Sequence, residues 1–94
     1  MNDRQRAVEA HVFGTVQGVS YRFWTRSEAT RLGLAGWVRN ERDGSVTARF
    51  AGADTAVSTM IERLWIGPAG ASVSRIDVED LKGWTASEGF RIIA

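Results

Sequence analysis

The chain has no cysteine, one proline and one histidine. The missing thiols remove disulfides, thiolate metal centres and a cysteine-bound phosphate intermediate, and they suit a reducing cytoplasm. An excess of charge of one sign is also lacking: twelve Lys and Arg stand against eleven Asp and Glu, a formal charge of +1. No global field is available to grip nucleic acid, so any anion site has to arise from local placement. Nor is there a long apolar run. The polar start Met1-Asn2-Asp3-Arg4-Gln5-Arg6 is followed by none, so neither a signal peptide nor a membrane span is expected.

What remains is an ordinary globular composition, 44% hydrophobic and 24% charged. At 94 residues the expectation is one domain with one core, residues 1–94, in which residues 1–6 form a flexible N-terminal tail.

Val8, Ala10 and Val12 alternate with Glu9, His11 and Phe13, the period of two that marks a strand with one buried face. After a glycine-bearing loop, Ser20 is placed to cap a helix in which Tyr21, Thr25, Ala29 and Leu32 recur at helical spacing. Gly33 ends that helix, with Leu34 packing back. Residues 35–40 and 45–51 read as a β-hairpin around Glu41-Arg42-Asp43-Gly44. Gly52-Ala53-Asp54 then supplies a turn and an N-cap for a second helix, whose stripe of Val57, Met60, Ile61, Leu64 and Trp65 stops at Gly67-Pro68. A strand follows over residues 72–80, where the phase break between Val73 and Ile76 points to a bulge or a late start. Residues 89–94 add a short edge strand after a loop over 82–88. This order predicts the ferredoxin-like βαββαβ sandwich, an antiparallel sheet with two helices on one face and a short extra C-terminal strand. The fold by itself assigns no function.

Candidate chemistry gathers in Phe13-Gly14-Thr15-Val16-Gln17-Gly18-Val19-Ser20-Tyr21-Arg22. Two glycines relax the backbone between strand and helix, which lets successive N–H groups form an anion-binding concavity beside the positive end of a helix dipole. Arg22 brings a planar fork of donors to its rim. A cation there opposes the helix dipole unless an anion compensates. A glycine loop before a helix is, taken alone, more often a plain connection.

The pattern Gly14-x-Val16-Gln17-Gly18-Val19-x-Tyr21-Arg22 resembles the acylphosphatase family, with tyrosine where the family usually has another large residue. Gly36-Trp37-Val38-Arg39-Asn40-x-x-x-Gly44-x-Val46-x-x-x-x-x-Gly52 is similar to its second motif at every required position. The resemblance runs from Val8 to the terminal Phe90-Arg91-Ile92. It implies a hydrolase that cleaves the carboxyl–phosphate bond of small acyl phosphates to inorganic phosphate without a metal or cofactor. Arg22 matches the phosphate-binding arginine and Asn40 the asparagine that positions the attacking water. Thr15, Val16, Gln17, Gly18, Val19, Ser20 and Tyr21 match the backbone cradle. The alternative is a catalytically silent module that binds acyl phosphate or carbamoyl phosphate.

Blander readings fit the remaining polar and aromatic residues. His11 falls on the strand face opposite Val8, Ala10 and Val12 and has no organised partner in the sequence. Trp24, Trp37, Trp65 and Trp84 read as packing, and exposure of Trp65-Ile66 would mark a weak contact surface. Asp77, Glu79 and Asp80 keep an edge or face solvated. An RNA-binding module of the same topology lacks its stacking pair on the third strand, so no nucleic-acid partner is expected. No large apolar surface is evident, and a monomer is the default.

Overall fold

The computed structural model describes residues 4–93. Along the chain run β1 (Gln5–Thr15), α1 (Tyr21–Arg31), β2 (Ala35–Asn40), β3 (Val46–Ala53), α2 (Asp54–Ile66), β4 (Ser72–Asp80) and β5 (Phe90–Ile92). The sheet order is β4-β1-β3-β2-β5. The four longer strands pair antiparallel, as expected for the ferredoxin-like fold. β5 differs: it pairs parallel with β2 and makes the sheet mixed. Because β4 and β5 lie at opposite edges, the segment between them must cross the sheet before the chain can pair again.

β1 starts at Gln5, three residues before the alternation is visible in the sequence. Gln5 and Arg6 pair with Ala53 and Gly52, so this part of the expected tail is strand; residues 1–3 lie outside the described residues. Polar side chains hide the strand from a hydropathy pattern. Its ladder and the Arg6 ion pairs to Asp80 (2.9 Å) and Asp54 (3.6 Å) hold it nonetheless.

One face of the sheet carries Val8, Ala10, Val12, Val38, Ala48 and Phe50, which pack with Tyr21 and Ala29 of α1 and Val57, Met60 and Leu64 of α2 into one buried cluster. Burial of such side chains is the main favourable term, about 1.5–3 kcal/mol for each large one. The helix ends follow local rules to different degrees. α1 closes with Gly33 at φ 74°, where Gly33 N–H donates to Thr30 O and Leu34 N–H to Ala29 O, the paired bonds of a Schellman cap. At the other helix Asp54 is the first helical residue rather than the cap, and its N–H donates to Arg4 O at 2.7 Å. The β4 phase break is a bulge. Phe13 faces Arg75 while Gly14 faces Val73, which leaves Ser74 as the extra residue. Gly14 is required there, since a Cβ would lie 2.1 Å from Ser72 O.

A buried hydrogen bond locks α1 to α2. Leu64 O would ordinarily accept from the residue four positions on, but that residue is Pro68, which has no N–H. The Tyr21 hydroxyl donates to it instead, at 2.6 Å. Burial pushes the phenol well above its usual range. Replacing Tyr21 by phenylalanine leaves that carbonyl orphaned, an expected loss of about 1–3 kcal/mol in denaturant unfolding. The neutral phenol is the bonded form, so this contribution is complete below about pH 10, where unfolded tyrosine begins to ionise, and falls as pH rises further. The phenylalanine variant should lack that alkaline decline.

Candidate functional site

The loop from β1 to α1 is shaped by two residues in the left-handed region, Gly18 at φ 76° and Ser20 at φ 63°. For serine this conformation costs about 1–2 kcal/mol. Ser20 occupies the N-cap position but its side chain makes no capping bond, contrary to the expectation from sequence. The backbone consequence is large. Among the described residues none accepts from the N–H groups of Gln17 to Phe23, and the first paired donor is Trp24, to Ser20 O at 3.0 Å. A run of unpaired N–H groups at a helix N-terminus is a concentrated positive potential.

Of Gln17 to Phe23, all but Val19 line a cavity of about 290 Å³, together with Val16 and Asn40. Arg22, in the first turn of α1, is the only charged side chain among them. It is half-buried and makes no ion pair or hydrogen bond with the described residues. Asn40 enters from the end of β2, where its backbone pairs with Val46. Its Oδ1 is buried and has no hydrogen-bond partner. An orphaned acceptor on a residue that lines a cavity needs a reason, because desolvation without compensation is costly.

The two halves of the cavity are tied by Gln17. Its Nε2 donates to Glu41 O at 2.8 Å and to Ser45 O at 2.9 Å, which fixes the loop against the β2–β3 hairpin that carries Asn40. The hairpin is stiffened in turn by Asp43, which accepts from the Ser45 N–H and hydroxyl. Those bonds hold the Asp43 carboxyl below its usual range. The Glu41 carboxyl is likewise held below its usual range by its neighbours Thr47 and Arg39, and the Arg39 Nε–H donates to Glu41 Oε2 at 2.9 Å.

Of the loop residues expected at the site, Thr15 and Val19 do not line the cavity. Thr15 is exposed at the end of β1, opposite Ser72, and Val19 turns toward the core. Two contributions were not foreseen. Gln17 acts through its side chain as a clamp, a long-range bond that no local pattern encodes. Phe23 stands at the cavity rim, 57% exposed. An apolar residue next to Arg22 and outside the helix's buried stripe is the signal that could have marked it.

Other groups stay apart from this cavity. His11 lies on the open sheet face, 3.6 Å from Glu9, in a shallow depression of about 670 Å³ with Phe13, Arg39, Glu41, Arg42, Asp43 and Ser45. Of the two arginines here, Arg39 is taken up by Glu41 and by the Trp37 ring, whereas Arg42 is exposed. Trp24 packs on the core, whereas Trp37 and Trp84 flank Arg49, itself paired with Glu9 at 2.7 Å. Trp65 and Ile66 are exposed, at 48% and 73%. Asp80 and Asp77 pair with Arg6 and Arg75. Among the described residues no three His, Asp or Glu side chains stand in metal-ligating proximity. Among the described residues no helix is long and apolar enough to cross a membrane.

Fold and cavity together define a ferredoxin-like α+β sandwich with a small cationic pocket between the first loop and the second strand. The chain belongs to the acylphosphatase family: the family model described as Acylphosphatase matches residues 8–92. It is 72% identical over 94 residues to an acylphosphatase of Mesorhizobium japonicum, with all of both chains covered. Among solved structures it is similar to an acylphosphatase from Bacillus subtilis, with TM-score 0.92 and 30% identity over 95% of this chain and 99% of that one. It is likewise similar to an acylphosphatase from Coxiella burnetii, with TM-score 0.89 and 34% identity over 95% of this chain and 93% of that one.

Proposed function

We propose that this protein hydrolyses the carboxyl–phosphate bond of small acyl phosphates, releasing carboxylate and inorganic phosphate. The observation that carries the reading is the convergence, in one cavity, of an unpaired Arg22 and the orphaned Asn40 Oδ1 beside a run of free N–H groups. Arg22 and the loop amides hold the phosphoryl oxygens. Charge on those oxygens is what a phosphoryl-transfer site chiefly has to stabilise. Asn40 holds the attacking water through its side-chain amide and turns the water's oxygen toward phosphorus. The water oxygen forms the new P–O bond as the bond to the carboxylate breaks, and the electron pair leaves with the carboxylate. The water proton passes to a phosphoryl oxygen. No general acid is needed, because the departing carboxylate has a conjugate-acid pKa of about 4.

That leaving group is also why no metal or cofactor enters the reading. The same reading takes the protein as a monomer working in a reducing cytoplasm, which suits a chain free of cysteine. Its test is hydrolysis of benzoyl phosphate in the presence of excess chelator, beside p-nitrophenyl phosphate, whose phenolate is a poorer leaving group. Turnover of the acyl phosphate alone is the expected result. Turnover of both alike, or only after a divalent cation is restored, would overturn it.

A further inference from the structure

One wall of the cavity is unused by this chemistry. The Phe23 ring lines the cavity and is 57% exposed. It belongs neither to the core nor to the apolar side chains packed against it. Phe23 is the third residue of α1, where a helix gains from an acidic side chain, and the first turn of α1 contains no acid. The ring therefore adds little to the fold at this position. Single exposed apolar residues are common, and exposure alone would assign it no task.

Two further observations do. The other lining residues are polar, buried or glycine, so Phe23 offers the one exposed apolar surface beside Arg22 and Asn40. The Arg26 guanidinium, one turn along α1, lies 5.4 Å from the ring centroid and takes part in no ion pair with the described residues. Stacking of this kind braces one face of a side chain with few rotatable bonds and leaves its other face for a ligand. In an in-line displacement the water and the leaving group occupy opposite sides of phosphorus. Asn40 comes from β2 and Phe23 from α1, so different walls of the cavity serve the two.

We infer that Phe23 is a specificity-determining residue that carries the acyl group, and that flat, apolar acyl phosphates are the preferred substrates. The inference rests on the hydrolase reading above. Its test compares kcat/KM for benzoyl phosphate and acetyl phosphate in the wild type, Phe23→Ala and Phe23→Leu, with inorganic phosphate as competitive inhibitor. The wild type should prefer benzoyl phosphate, and Phe23→Ala should lower the benzoyl-to-acetyl ratio by about 3–10-fold, the range of one aromatic contact. The change should appear in KM rather than kcat, with Phe23→Leu in between. An unchanged ratio in Phe23→Ala, or a loss of phosphate inhibition parallel to the loss of turnover, would overturn it. A wild type that hydrolyses neither compound would remove the hydrolase reading, and this inference with it.

Discussion

Arg22→Ala should lose turnover of acyl phosphates by about 10³-fold or more, because a guanidinium on a transferring phosphoryl group is worth that much. Steady-state kinetics with benzoyl phosphate would measure it. The same change should leave stability level or slightly raised. A cation in the first turn of a helix opposes its dipole by about 0.3–1 kcal/mol, and Arg22 makes no compensating ion pair with the described residues. A large loss of activity without loss of stability separates a ligand-binding role from a structural one. Arg22→Lys should recover only part of the rate. An ammonium retains the charge but not the planar fork that bonds two phosphoryl oxygens at once. Near-normal turnover in Arg22→Ala would reject the assignment.

Asn40→Ala should lower kcat by about 10²–10³-fold, the usual cost of removing one oriented group from a transition state. The loss should fall on kcat and on kcat/KM alike, since positioning a water matters only once bonds begin to change. Here, too, the fold should not suffer. Its Oδ1 is already buried without a partner, so its removal relieves a desolvation cost rather than breaking a bond. Asn40→Asp is the informative companion, because it keeps the acceptor but places a negative charge beside the phosphoryl oxygens. It should remain impaired.

Much of this architecture was readable from residue patterns. Alternation along residues 8–13, the stripe of α2, the Gly33 cap and the hairpin all depend on neighbours close in sequence, and each formed as expected except at Trp65, the last member of the stripe, which is exposed rather than packed. The β4 phase break could be read as a bulge because it disturbs a local period. What escaped depends on distant partners. Gln5 and Arg6 look like tail residues until β3 pairs with them, and Asp54 starts the helix instead of capping it, its N–H donating to Arg4 O. β5 has a strand's composition, but only the crossing from the far edge makes it parallel.

The site shows the same division. Arg22 and Asn40 stand out in their motifs, and the fold brings both to one cavity. Gln17 is expected only as part of the backbone cradle, yet its side-chain amide bonds to two carbonyls on the hairpin more than twenty residues away. Thr15 and Val19 share the loop without lining the cavity, since Thr15 is exposed at the end of β1 and Val19 packs against the core.

The central claim is a division of labour: Arg22 and the loop amides bind the phosphoryl group, while Asn40 serves only the attacking water. Calorimetric titration of inorganic phosphate into Asn40→Ala tests it most directly, with Arg22→Ala as the reference for lost binding. The account predicts a dissociation constant within about twofold of the wild type for Asn40→Ala, because a group that acts only in the transition state contributes nothing to ground-state affinity. Loss of phosphate binding in Asn40→Ala as severe as in Arg22→Ala would contradict it.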